Sequence, residues 1–229
     1  MKALLIAALF ASQAAFADSI AELCPVAENV RGHENTEWSI SYAYHLTDAK
    51  KNLPRVLLVG DSICQGYQGK VRAKLEGKAN VTYWASSYCV TSPGYLRLLA
   101  FYLDEAEYDV VHFNNGLHSC ETPVADYEKS YRAALQLVKK KQPKAKLVLA
   151  SSTPLNTENA AMAEKVAALN AAARRAAESA GGIAENDLYS LANPLDRKAY
   201  WVDTHHYTSD GYELLASQVV EKVVAACAK

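Results

Sequence analysis

The sequence lacks an excess of either charge: its 229 residues include 24 basic and 25 acidic side chains, and the formal net charge is −1. It also lacks a basic stripe, which argues against nucleic acid as the main partner. No Pro-, Gly- or Ser-rich linker, internal repeat or low-complexity tract divides the chain. Because half of the residues are apolar, the sequence predicts one domain with a sizeable core.

Long apolar runs are scarce as well, since no segment beyond the N-terminus is long enough to cross a bilayer. The apolar run at residues 3–11 follows Lys2 and precedes Ala15-Phe16-Ala17, a small-x-small cleavage pattern. We therefore predict a signal peptide over residues 1–17, with a buried N-terminal helix as the alternative. The expected product is exported to the periplasm or the extracellular space, without stable membrane insertion.

Five cysteines remain after that cleavage, at positions 24, 64, 89, 120 and 227. Export permits disulfides, and an odd count leaves at least one thiol unpaired or intermolecular. A bridge from Cys24 to Cys227 would join the two termini, and one from Cys89 to Cys120 would join two loops. We expect this pairing, with Cys64 unpaired, although the sequence alone leaves the connectivity open.

Strand-like and helix-like runs alternate from residue 55 onward. Strands are predicted over 55–59, 80–84, 108–113, 146–150 and 183–187. Helices are predicted over 69–75, 95–103, 125–140 and 158–180, with a last helix after residue 210. Such βαβ units indicate an α/β fold, a three-layer αβα sandwich around a parallel sheet. We assign residues 54–229 to this domain and residues 18–53 to an N-terminal extension packed on its core.

A Gly-Asp-Ser turn ends the first of these strands. Residues 56–62 read Val-Leu-Leu-Val-Gly-Asp-Ser, which is typical of a buried strand that leads through a turn into a helix. Ser62 is therefore expected at the carboxyl end of a strand and near a helix N-terminus. Ligands bind at that edge of open α/β sheets, and the helix end favours negative charge.

A second block, Asp203-Thr204-His205-His206, stands just before the last helix. A serine hydroxyl becomes a strong nucleophile when a base takes its proton, and the base needs a third group that fixes its tautomer. Asp203 and His206, three residues apart, suit these two roles. His205 competes as the base, and a metal site is the other alternative. No third spaced ligand is evident, so we expect neither a metal nor a cofactor.

The two blocks, in this order, resemble those of the SGNH hydrolase superfamily, also called GDSL-type esterases and lipases. The resemblance covers roughly residues 54–226. It implies a flavodoxin-like parallel sheet of about five strands in the order 2-1-3-4-5, with the first strand at the switch point. It also implies Ser62 as the nucleophile, His206 as the general base and Asp203 as the carboxylate that orients it.

The oxyanion hole is where the sequence departs from the family pattern. The family uses the N–H of the serine, a Gly N–H after the second strand and an Asn side chain after the third. Here the loop after the second strand has no Gly before Gly94, so Tyr88 or Cys89 would donate instead. Residues 114–118 read Asn-Asn-Gly-Leu-His, as in a variant branch with an Asn-x-Gly-Leu-His block. The candidate oxyanion residues are Ser62, Cys89, Asn115 and His118.

The resemblance implies a serine ester hydrolase that acts on small acyl esters through an acyl-enzyme. Carbohydrate O-acetyl groups are one expected substrate class, so the expected partner is a small-molecule or glycan acyl ester. A sugar O-acyltransferase with the same triad and a non-catalytic carbohydrate-binding descendant remain as alternatives. Among the aromatic residues, Trp201 is the candidate for stacking on a sugar ring, because it adjoins the Asp203 block.

Overall fold

From residue 55 to residue 186, strands and helices alternate in the order that the sequence predicts. The computed structural model describes residues 36–44, 52–181 and 183–228, so the predicted signal peptide lies outside the described residues. Within them the strands are β1 Ser39–Tyr42, β2 Arg55–Gly60, β3 Asn80–Ser86, β4 Val110–Phe113, β5 Lys146–Ala150 and β6 Ala184–Asn186. The helices are α1 Ser62–Lys74, α2 Tyr95–Leu103, α3 Val124–Lys141, α4 Ala160–Ser179, α5 Leu188–Ala192, α6 Arg197–Tyr200 and α7 Ser209–Cys227, with a 3-10 turn over Leu117–Ser119.

The strands form a sheet in the order β1-β3-β2-β4-β5-β6, in which β2 to β6 are parallel. For the five predicted strands this is the order 2-1-3-4-5, so the predicted fold class is confirmed. The sheet is nevertheless mixed, because the unpredicted strand β1 runs antiparallel along β3, with Ser39 opposite Ser86 and Tyr42 opposite Tyr83. The segment ahead of the predicted domain therefore supplies an edge strand.

The central strand β2 is buried on both faces of the sheet. Val56 and Leu58 belong to a core cluster shared with α1 and α7, and Leu57 and Val59 belong to a second cluster shared with α2, α3 and α4. All four side chains are fully buried. This arrangement explains why β2 reads as a continuous apolar run rather than as an alternating one.

Helix α1 begins earlier than the predicted start at residue 69. The Asp61 carboxylate accepts a hydrogen bond from the Ile63 N–H at 3.0 Å and caps the helix. Ser62 is therefore the first helical residue, directly after β2. Further along α1, Gly66 faces α7, where a Cβ would lie 2.1 Å from the Tyr212 ring. The glycine thus permits the close contact between α1 and α7.

The cysteines that the structure describes are free thiols: Cys64, Cys89, Cys120 and Cys227. The predicted bridge between Cys89 and Cys120 is therefore wrong, while Cys64 is unpaired as expected. Cys24, the predicted partner of Cys227, lies outside the described residues. Among the helices of the described ranges, none is both long and apolar enough to span a membrane.

Candidate active site

The two sequence blocks meet at the carboxyl edge of the sheet. Ser62 stands at the junction of β2 and α1, and the segment 203–206 lies in the loop between α6 and α7. Helices α1 and α7 pack against each other and both begin at this edge. The loop that precedes α7 is therefore held beside the first residue of α1.

A chain of hydrogen bonds joins the three predicted catalytic residues. The Ser62 Oγ lies 2.9 Å from the His206 Nε2, and the His206 Nδ1 lies 2.8 Å from the Asp203 Oδ2. The other Asp203 oxygen accepts the backbone N–H groups of His205 and His206, each at 2.7 Å. The loop thus folds around the Asp203 carboxylate, and His206, not His205, bridges it to the serine.

The charge of Asp203 fixes the tautomer of His206. Burial raises the pKa of the Asp203 carboxyl, but hydrogen bonds from the His206 N–H, the His206 ring and the His205 N–H outweigh it and lower the pKa to about 2. The carboxylate is ionised at neutral pH and accepts hydrogen bonds without donating any. The His206 Nδ1 must therefore carry the proton, which leaves the lone pair of Nε2 to accept the Ser62 hydroxyl.

The ring of His205 takes no part in this chain. Its centroid lies 6.1 Å from that of His206, and it lines the cavity above Ser62. Burial is the main cause that lowers the pKa of His205, and the neighbouring His206 lowers it further. The His205 ring thus lines the cavity, and the His205 backbone N–H donates a hydrogen bond to the Asp203 carboxylate.

Trp201 secures the base of the loop. It forms a β-bridge with Tyr207, the two rings lie 4.5 Å apart, and the Arg197 guanidinium covers the indole at 4.3 Å. Only 5% of Trp201 is exposed. The prediction that Trp201 could stack on a sugar is therefore wrong, because the indole is enclosed by its own loop.

Ser62 and His206 open into a cavity of about 350 Å³. The other residues that line it are Trp38, Leu117, His118, Cys120, Glu121 and His205. A larger cavity of about 660 Å³ lies at the opposite edge of the sheet, near Lys146 and Ala184, and none of the described Ser, His or Cys residues lines it. Of these two cavities, the smaller one is lined by Ser62 and His206.

The predicted oxyanion residues fall into two groups. Ser62 and His118 line the cavity, whereas Cys89 and Asn115 are almost fully buried beside it. The Asn115 Oδ1 accepts the Val90 N–H at 3.0 Å, and its Nδ2 donates to the Tyr88 carbonyl at 2.9 Å. The amide thus clamps the residues on both sides of Cys89, which positions the loop after β3 against the loop after β4.

A second amide, Asn170, supports this region from α4; the sequence left it as either such a supporting contact or a solvated residue. Asn170 is buried and brackets Ser152 by accepting its N–H at 2.8 Å and donating to its carbonyl at 2.9 Å. A Cβ at Gly116 would lie 1.8 Å from the Ser152 Oγ, so only glycine fits beside this hydroxyl. In the sequence, a single Asn on the apolar face of an Ala-rich helix indicates a buried amide that needs hydrogen-bond partners.

The described residues contain no group of three or more His, Cys, Asp or Glu side chains that could hold a metal ion. The cluster of Asp203, His205 and His206 is organised instead around the Asp203 carboxylate, as its hydrogen bonds show. These residues are thus engaged with one another and with Ser62.

Comparison with known proteins supports the fold. No protein-family model and no curated protein matches the sequence. An acetyl xylan esterase of known structure is 20% identical over 74% of this chain and 99% of its own, with a TM-score of 0.63. A G-D-S-L family lipolytic protein from Veillonella parvula DSM 2008 is 17% identical over 73% and 96%, with a TM-score of 0.59. A salicylyl-acyltransferase from a tetracycline biosynthetic pathway is 17% identical over 77% of this chain and 56% of its own, with a TM-score of 0.61.

At these identities the similarity shows a shared fold. Esterases and G-D-S-L proteins are among the proteins that share this fold. The resemblance to SGNH hydrolases implies the same fold.

Proposed function

We propose that this protein is an SGNH-type serine ester hydrolase that acts on small acyl esters, with O-acetylated carbohydrates as the candidate substrates. The observation that carries the proposal is the continuous hydrogen-bond chain from Asp203 through His206 to Ser62. The esterases that share the fold support it. The modest cavity, at the lower end of the usual range for ligand sites, suits a short acyl group.

The reaction begins when the Ser62 Oγ attacks the acyl carbonyl carbon while its proton moves to the His206 Nε2. The Oγ–C bond forms as the carbonyl π bond breaks, so negative charge develops on the carbonyl oxygen. Collapse of this intermediate breaks the bond to the alcohol, whose oxygen takes the proton from Nε2. Water then attacks the acyl-enzyme by the same route, which releases the acid and restores Ser62.

The developing oxyanion requires donors that are already in place. We assign this role to the backbone N–H groups of Ser62 and Cys89. The Ser62 N–H is not used within α1, since the first N–H groups of a helix have no intrahelical acceptor. The Cys89 N–H lies between Tyr88 and Val90, which Asn115 holds through hydrogen bonds. The imidazole of His118 and the amide of Asn115 remain the candidate side-chain donors.

Export belongs to the same proposal. The expected signal peptide over residues 1–17 would deliver the mature chain to the periplasm or the extracellular space, where acylated glycans are accessible. Expression of the whole chain in a bacterium, followed by fractionation and N-terminal sequencing, tests this expectation. Protein retained in the cytoplasm with its original N-terminus would contradict it.

Hydrolysis of p-nitrophenyl acetate tests the catalytic assignment. Ser62→Ala, His206→Ala and Asp203→Asn are each expected to lower kcat by about 10⁴-fold or more, because triad residues act as a unit. His205→Ala is the matched control and should retain activity within about tenfold, since its ring lies outside the hydrogen-bond chain. Equal background rates in the wild type and in all of these variants would reject the hydrolase and favour a non-catalytic binding protein.

An acyltransferase is the second candidate, because a salicylyl-acyltransferase shares the fold. The two activities differ in whether water or an alcohol attacks the acyl-enzyme. Product analysis with methyl glucopyranoside as an acceptor separates them. Transfer of the acyl group to the sugar in preference to water would favour the acyltransferase.

A further inference from the structure

One wall of the cavity around Ser62 comes from residues that precede β2. Trp38, the residue directly before β1, lines this cavity together with Ser62 and His206. Because β1 is antiparallel to β3 and pairs Ser39 with Ser86, the residue before β1 falls at the carboxyl end of β3. That is the edge of the sheet at which Ser62 lies, so the edge strand delivers an aromatic side chain to the site.

Hydrogen bonds hold Trp38 in place. Ser87 is fully buried; its N–H donates to the Trp38 carbonyl at 3.1 Å, and its hydroxyl accepts the Trp38 N–H at 2.8 Å. The same hydroxyl donates to the Glu37 carboxylate at 2.6 Å. The indole stands edge-on to the His118 ring, with centroids 6.0 Å apart. Because the Trp38 backbone is held by these bonds and the indole contacts the His118 ring, little backbone freedom is lost when a ligand binds.

The residues that line the cavity together with Trp38 include polar side chains, so the cavity is both aromatic and polar. Glu121, His118 and His205 line the same cavity as Trp38. The face of an aromatic ring is negative, so it attracts the slightly positive C–H groups on one face of a pyranose, while polar groups at the rim bind its hydroxyls. A simple alkyl alcohol would make no hydrogen bonds to these polar groups.

We infer that Trp38 determines specificity for the alcohol part of the ester, and that this alcohol is a pyranose that stacks on the indole while its acyl group meets Ser62. The inference rests on the proposed function, since it names the substrate class of the same site. A quaternary ammonium alcohol also stacks on indole. The choline part of such an ester has no hydroxyl group that could bind the polar side chains of His118, His205 and Glu121, however, whereas a pyranose has several.

A comparison of three acetyl esters tests the inference: mono-O-acetylated methyl glucopyranosides, ethyl acetate and acetylcholine. Trp38→Leu should lower kcat/KM for the glucopyranosides relative to ethyl acetate by roughly tenfold, through a higher KM, because ring stacking is worth about that factor. Trp38→Phe should restore most of the preference. Phe101→Leu, which changes an aromatic residue that is 60% exposed on α2, is the control and should leave the ratio as in the wild type. A selective loss with acetylcholine would overturn the pyranose assignment.

Sugar binding separates failure of this inference from failure of the proposed function. In the Ser62→Ala background, methyl glucopyranoside binding followed by ligand-observed NMR should weaken by roughly tenfold on Trp38→Leu. Trp38-dependent binding in a protein that hydrolyses no ester would reject the hydrolase and keep the pyranose site at Trp38. Hydrolysis and sugar binding that are both insensitive to Trp38→Leu would overturn the inference and keep the hydrolase.

Discussion

Asp203 shows how a single side chain can organise a catalytic loop. An exposed ion pair contributes little to stability, and the Asp203 side chain is 53% exposed. Its importance lies in geometry, because it accepts two backbone N–H groups and the ring N–H of His206. These bonds keep the pKa of Asp203 near 2, so the carboxylate stays ionised throughout the neutral and mildly acidic range and accepts the Nδ1–H of His206.

Asn115 could serve the oxyanion hole in two ways, and the two have different consequences. As a direct donor it would stabilise only the transition state. As a clamp it holds Tyr88 and Val90 in the folded protein, and its Oδ1 also accepts the Ser119 hydroxyl at 3.2 Å. Because the amide is almost fully buried, its removal leaves buried partners without hydrogen bonds, which is costly.

The clamp therefore predicts two effects of Asn115→Ala. We expect kcat for p-nitrophenyl acetate to fall by about 10²-fold and the free energy of unfolding to fall by about 2–4 kcal/mol. Ser119→Ala removes one contact of the same oxygen and should cost about 1 kcal/mol or less. Urea denaturation and steady-state kinetics of both variants check this. A loss of kcat at wild-type stability would instead identify Asn115 as a direct donor.

At the scale of the element, two glycines in α1 have opposite structural roles. A Cβ at Gly66 would lie 2.1 Å from the Tyr212 ring, whereas a Cβ at Gly69 would meet nothing within 4 Å. Gly66→Ala should therefore destabilise the protein by about 1–3 kcal/mol through overpacking of α1 against α7. Gly69→Ala should stabilise it by up to about 1 kcal/mol, because alanine favours the helix. Thermal unfolding of the pair tests the contact, and equal effects at both sites would contradict it.

The elements that the sequence predicts best are those with a strong local pattern. The buried strand β2 reads as an apolar run, and its position at the switch point is what the resemblance to SGNH hydrolases implies. Strand β1 has a shorter pattern, an alternation of polar and apolar residues over Ser-Ile-Ser-Tyr, whose side chains are mostly exposed. The alternation favours a strand, but its antiparallel pairing with the edge of β3 is a long-range contact that local propensity does not indicate.

The same distinction applies to the site. Ser62, Asp203 and His206 lie in two short blocks, so their types and spacing were readable in the sequence. Trp38 reaches the cavity only because β1 pairs with β3, and Trp201, which adjoins the block in sequence, is buried within its own loop. Proximity in sequence therefore pointed to the wrong tryptophan. The pairing of β1 with β3 determines which aromatic side chain lines the cavity.

At the scale of the whole molecule, a buried polar chain crosses one of the two core clusters. His112 on β4 is fully buried, and its Nε2 accepts the Asn186 Nδ2 at 2.9 Å. The Asn186 Oδ1 in turn accepts the Gln218 Nε2 at 2.8 Å. The chain connects β4, β6 and α7, and it requires a neutral His112, because Nε2 must accept a hydrogen bond from an amide that can only donate.

Acid should therefore weaken the fold through His112. Burial lowers the pKa of His112 from its ordinary 6.5 to about 4, so between these pH values the unfolded chain binds the proton more readily than the folded one. The stabilisation is complete above pH 6.5, is lost as the pH falls towards 4 and changes no further below it, a total of about 3 kcal/mol. His112→Gln keeps an acceptor for Asn186 but does not titrate, so its free energy of unfolding should decline less than that of the wild type over this interval. Urea denaturation of both proteins at pH 7, 5.5 and 4 measures the difference, and parallel declines would show that His112 does not couple acid to unfolding.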